Sequence, residues 1–247
     1  MSRRVVQQRP RALRYLGRTV QRVCTRVETA AETIGPLPPG MRMTGVTAGQ
    51  FSAVDALEHM VCELGPASVR VSTWTTGIYD VERTRAIRVD GRITDVRFLL
   101  DRGTFEKSPQ FAGPLIEVLG ADAFRCLSVH AKVIIVDGGP GRAAVFRSSM
   151  NLNKNLRTEQ FDIDVDDEVA AFYTLWFDGL WEESGRSHDN RRIIAAIYDR
   201  YRALPAGGVP TDGTGEAAPV RRDPRQRRVR KGDVTMTVAD LHSLIGD

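Results

Sequence analysis

The sequence predicts an α/β layered sandwich, a mixed β-sheet flanked by helices, and three observations carry that prediction. Short strand-like runs recur between Val69 and Val165, with helical stretches interleaved. One of them, Val133-Ile-Ile-Val136, is apolar on both faces, as a strand at the centre of a covered sheet should be. Two segments, 51–64 and 169–180, place apolar residues at helical spacing on one side. The 247 residues, 42% hydrophobic and 27% charged, suffice for one substantial core with extensions.

In chain order, Leu13, Leu16, Val20, Val23, Val27, Ala30 and Ile34 alternate by three and four. That spacing predicts an amphipathic helix over 11–34, with Arg11, Arg14, Arg18, Arg22 and Arg26 as a basic stripe. Such a helix suits packing on its own domain, a homodimer seam, or contact with nucleic acid or a membrane surface. Gly35-Pro-Leu-Pro-Pro-Gly40 ends it as a stiff linker. Thr47 and Gln50 fit a capping box ahead of a helix that buries Phe51, Val54, Leu57, Val61 and Leu64, and Gly65-Pro66 stops it. His59 falls off that apolar face and reads as a surface histidine.

Val69–Trp74 and Thr94–Asp101 read as strands, with a polar helical segment over 80–90 between them. A helix at 109–120, a short strand at 123–128, a strand at 130–137 and strands at 145–149 and 161–165 follow. Asp166 is placed to cap a long helix carrying Val169, Phe172, Tyr173, Trp176 and Leu180, and a last helix over 190–204 carries Ile193, Ile194, Ile197, Tyr198 and Tyr201. The stretch from 205 has the composition of a disordered linker, followed by a basic run and a short terminal helix at 236–245. The expected organisation is therefore 1–40, a basic helix and linker; 41–204, the sandwich; and 205–247, a basic tail.

Charge is unevenly divided along the chain. Residues 1–34 carry eight arginines against Glu28 and Glu32, and 221–231 carry seven basic residues against Asp223, whereas 35–220 is net −5. Basic ends on an acidic body favour an anionic polymer or surface as partner. The three cysteines, Cys24, Cys62 and Cys126, are too far apart for a disulfide framework or zinc ribbon, which suits a reducing compartment. With no secretory signal and no apolar run of bilayer length, the expected location is the cytoplasm.

The chemistry-bearing residues concentrate in 130–159. On a strand, residues two apart share a face, so His130 and Lys132 are expected to point the same way. Asp137 comes off the strand's end at the turn Gly138-Gly-Pro-Gly141, and the next strand delivers Ser149 and Asn151 at its far end. This can gather a nucleophile and several phosphate-oxygen donors at one rim of the sheet. His-x-Lys-x4-Asp arises by chance in about half a per cent of chains of this composition, so its place on a buried strand adds weight. The acids Asp162, Asp164, Asp166, Asp167 and Glu168 read as a strand edge and a helix N-cap in preference to a metal site.

In these residues the chain resembles the phospholipase D superfamily, whose signature is His-x-Lys-x4-Asp, then Gly-Ser-x-Asn and a later glutamate. His130, Lys132 and Asp137 match the first part, Ser149 and Asn151 the second, and Glu159 is the matching glutamate. Ser148 replaces the usual glycine. The resemblance covers about 69–183 and implies metal-independent phosphodiester chemistry without a cofactor. One histidine would attack phosphorus to give a phosphohistidine, and a second would protonate the leaving alkoxide and then activate water. It implies catalytic roles for His130, Lys132, Asp137 and Glu159, with Glu159 orienting His130 and Asp137 supporting the motif. Lys132, Ser149 and Asn151 would hold the phosphoryl oxygens.

Two motifs are needed and the chain carries one, because no other histidine has a lysine two residues later. The resolution is a homodimer in which two copies of 130–159 meet at a two-fold axis. The leading expectation is a nuclease on DNA or RNA whose basic termini contact backbone phosphates. The alternatives are a lipid phosphodiesterase or transphosphatidylase at a membrane surface, and a non-catalytic module with partner proteins in a bacterial defence or phage system.

Overall fold

A computed structural model describes residues 20–23, 29–47, 49, 51–73, 90–103, 109–152, 158–185 and 188–204. The expectations for a helix over 80–90, the basic tail and the terminal helix fall outside these residues, apart from Asp90. The chain divides at Ala206, and all described residues belong to the unit before it.

The described strands are β1 (Val20–Val23), β2 (Arg42–Thr47), β3 (Ala67–Thr73), β4 (Ile93–Asp101), β5 (Phe124–Leu127), β6 (Val133–Asp137), β7 (Ala143–Ser148) and β8 (Glu159–Asp164). The helices are α1 (Ala30–Ile34), α2 (Ala53–Leu64), α3 (Pro109–Leu119), α4 (Asp167–Gly185) and α5 (His188–Arg202). One eight-stranded mixed sheet runs in the order β1-β2-β8-β7-β6-β3-β4-β5. Strands β6, β7 and β8 form an antiparallel meander, while β3, β4 and β5 run parallel to one another through crossovers. The predicted α/β class holds.

Both sheet faces are covered, which is why Val133–Val136 is apolar throughout. On one face Val71, Phe98, Ile134, Phe146 and Phe161 pack on α2 (Val54, Leu57, Met60) and on Leu115 and Ile194. On the other, Leu99, Val133, Ile135 and Val145 meet Val169, Phe177 and Leu180 of α4. Each buried side chain of this size contributes about 1.5–3 kcal/mol. Ion pairs also fix α4. Arg70 donates to both Asp178 oxygens at 2.9 and 3.0 Å, and Arg125 lies 4.2 Å from the Trp181 ring centre.

Several local expectations are corrected. Val20–Val23 is strand, parallel to β2, where a helix over 11–34 was expected, and only Ala30–Ile34 of that span is a described helix. Spacing by three and four is a helical signal, and pairing along the β2 edge overrides it, since valine also suits a strand. The stiff linker Gly35–Gly40 is held against its surroundings: Leu37 is buried, and the Gly40 amide donates to the Val165 carbonyl at 2.7 Å. The capping box of α2 is Ser52 with Asp55, not Thr47 with Gln50, since Thr47 ends β2. His59 is half-buried and bonds the Gly35 carbonyl at 2.8 Å through Nε2. Asp166 does cap α4, accepting from the Glu168 and Val169 amides.

Candidate active site at the β6–β8 rim

The antiparallel meander sets the site. Because β6 begins where β7 ends, and β8 begins beside the end of β7, three separate segments converge on one rim of the sheet. His130 and Lys132 lie on the extended approach to β6, whose ladder begins at Val133, so they precede the strand that was expected to hold them. Their segment is tied all the same. Lys132 accepts at its carbonyl from the Ser148 amide at 3.2 Å, and the Ala131 carbonyl accepts from Ser72 Oγ at 2.8 Å.

His130 is exposed, and the Lys132 ammonium sits 3.4 Å from its Nδ1, 3.5 Å from its Nε2 and 3.2 Å from its carbonyl. The two side chains do share a face. Partial burial lowers the Lys132 pKa, and the nearby Glu159 carboxylate offsets part of that shift. Lys132 also lines a cavity of about 10 Å³ with Thr73, Ser148, Met150 and Leu152, room for no more than about one water.

Ser149 and Glu159 meet directly, the hydroxyl donating to Glu159 Oε2. The same hydroxyl accepts from the Gln160 amide at 3.0 Å, while the Ser149 amide donates to the Gln160 carbonyl at 3.1 Å. With its one proton committed to Glu159, Ser149 is better placed to fix that carboxylate than to donate to a phosphate. Ser148, in the position of the usual glycine, turns its hydroxyl back on the Met150 amide at 3.1 Å and so fits the turn. Asn151 follows on the same rim, its Oδ1 buried with no hydrogen-bond partner among the described residues.

Asp137 does not join them. It lies at the opposite end of β6, about 16 Å along the strand from Lys132. Its Oδ1 accepts from the Gly139 amide at 2.9 Å and shapes the turn to β7. Five residues of extended chain thus separate Asp137, expected among the catalytic residues, from the rim, and its carboxylate serves the turn to β7. Sequence reasoning also missed Ser72 and Thr73 on β3, whose contacts depend on which strand lies beside β6.

Three of the acids of 162–168 have partners of their own. Asp164 is buried between Arg147 and Arg42, Asp166 pairs with Arg42 at 3.7 Å, and Asp167 accepts from the Gly141 amide.

No family model matches the sequence, and no curated protein matches it. Among solved structures, NucT from Helicobacter pylori is similar at a TM-score of 0.42 and 15% identity, over 57% of this chain and 96% of that one. TrmBL2, an archaeal chromatin protein whose structure shows a novel mode of DNA binding, is similar at a TM-score of 0.39 and 16% identity. That likeness covers 57% of this chain and 53% of TrmBL2, so the chain spans about half of that protein's length. Both likenesses are loose, and neither carries weight for the chemistry of the rim.

Proposed function

We propose that the chain is a phosphodiesterase, foremost of nucleic acid, that works through a phosphohistidine at His130 in a homodimer. The observation that carries this reading is the convergence of His130, Lys132, Ser149 and Glu159 at one rim from three chain segments. A neutral ring nitrogen of His130 attacks phosphorus, a P–N bond forms, and the P–O bond to the leaving alkoxide breaks. The partner subunit's His130 gives its proton to that alkoxide. It then takes a proton from water, whose oxygen attacks phosphorus as the P–N bond breaks. Lys132 and the Asn151 amide offset the charge that grows on the phosphoryl oxygens. Glu159, fixed by Ser149, holds Lys132 charged at the rim. The arginine-rich ends, against a net-acidic body, favour a polyanionic substrate over a small one.

The test sets single- and double-stranded DNA, RNA and phosphatidylcholine vesicles side by side, with and without chelator, on the full-length chain. Nucleic-acid cleavage that survives chelator, is lost in His130→Ala and comes from a dimer by light scattering is the expected result. Faster turnover of phospholipid moves the substrate class to lipid. Activity abolished by chelator, or full activity from a monomer, overturns the mechanism.

A further inference from the structure

We infer that Ser72 and Thr73, adjacent residues at the end of β3, are the positioning pair of this site, one for each half of its machinery. Both are buried, at 1% exposure, in a strand whose other buried residues are Ala67, Val69 and Val71. A hydroxyl in such surroundings is costly unless bonded, and each is bonded to a segment outside strands β6 and β7. Ser72 Oγ donates to the Ala131 carbonyl at 2.8 Å. Ala131 lies between His130 and Lys132 and two residues before the β6 ladder begins, so this bond ties β3 to the approach segment where their regular pairing has ended. Rotation of that peptide swings His130 and Lys132 together. Thr73 Oγ1 accepts from the Leu152 amide at 3.4 Å, beyond the end of β7, and so anchors the residue following Asn151. Because neighbours on a strand point to opposite faces, one dipeptide reaches both segments from two sides.

The inference rests on the phosphodiesterase reading, so the test carries one readout that needs turnover and one that does not. The first is kcat and KM of the full-length chain on bis(p-nitrophenyl) phosphate. Ser72→Ala is expected to lower kcat about tenfold to a hundredfold with little change in KM, as misplacement of a reacting group does. Ser72→Thr, which keeps the hydroxyl, restores it. Thr73→Val is expected to raise KM about tenfold, because it loosens the Asn151 side that binds phosphate.

The second readout is the His130 ring-nitrogen spectrum by long-range proton–nitrogen NMR, assigned with His130→Ala. Ser72→Ala should shift it and Ser72→Thr should not. An unchanged His130 spectrum in Ser72→Ala overturns the positioning role even if no turnover is found for any variant. A lowered melting temperature with kcat and KM unchanged overturns it too. Should Ser72→Ala fail to fold, Thr73→Val with an unchanged KM refutes the paired role. A wild type inactive on every phosphodiester, with His130 shifted in Ser72→Ala, sinks the functional reading alone.

Discussion

The two ends of β6 are built for different work. At the start, His130 is exposed, Lys132 is partly buried beside it, and the backbone is held by side-chain and cross-strand bonds outside the regular ladder. At the finish, Asp137 spends its carboxylate on the Gly139 amide, and Gly138 is pressed against the Leu64 carbonyl. A Cβ on Gly138 would lie 2.1 Å from that oxygen, so no larger residue fits without moving backbone. One end leaves an imidazole and an ammonium side by side at an open rim and the other closes a turn. A motif contiguous in sequence is therefore cut in two by the length of an extended strand, and only its first half belongs to the rim.

Removing the presenting end should have the largest effect. His130→Ala is expected to cost at least about 10⁴-fold in kcat, as loss of a covalent nucleophile does, with the denaturant midpoint unchanged. Lys132→Ala should cost about 10²–10³-fold, the scale of one donor to a developing oxyanion. The pH profile sharpens this. Burial lowers the Lys132 pKa, so the ammonium loses its proton at lower pH than a free lysine does. Activity should stand below that point and fall above it, giving an alkaline limb in kcat/KM. Lys132→Arg should move the limb upward, since a guanidinium stays charged. A limb that Lys132→Arg leaves in place would assign it to another group. Glu159→Gln comes next, at about tenfold, because it weakens one charge-assisted bond from Ser149 and removes the charge beside Lys132.

The same contrast explains what the sequence could reveal. Runs with alternating or continuous apolar character, β3, β4, β6, β7 and β8, were legible because one or both of their faces are buried. Strand β2 was not, since Gly45 breaks its pattern. The structure supplies the reason: a Cβ there would lie 2.4 Å from the Phe161 ring, so the glycine makes room for a core phenylalanine on β8. Strand β1 was not legible either, because Val20 and Val23 belong to a three-and-four spacing that signals a helix, and only the pairing with β2 overrides it. In the site, His130, Lys132, Ser149 and Glu159 were legible as residue types at spacings that resemble a known signature. The β7–β8 register puts Ser148 opposite Phe161 and so carries Ser149 opposite Gln160, one residue from Glu159, which its hydroxyl reaches diagonally. Ser72 and Thr73 were illegible, because nothing local to β3 says that β6 will lie beside it.

The smallest effect on chemistry is expected at the closing end, and it is the one that most directly tests the comparison. Asp137→Ala removes the acceptor for the Gly139 amide and leaves every group at the rim in place. The expected cost is about 1 kcal/mol of stability, the net worth of one partly buried hydrogen bond, read from the urea midpoint at constant slope. Turnover per folded molecule should stay within about twofold, since surface changes far from a site rarely reach it. Gly138→Ala should destabilise more, as the Leu64 carbonyl belongs to a packed helix end and cannot swing aside like a flexible side chain. Its kcat should again be preserved at temperatures where it is folded. If Asp137→Ala instead lowered kcat about a hundredfold with its midpoint unchanged, the carboxylate would be acting at the rim from about 16 Å away. The strand would then be coupling its two ends, and their division of labour would be wrong.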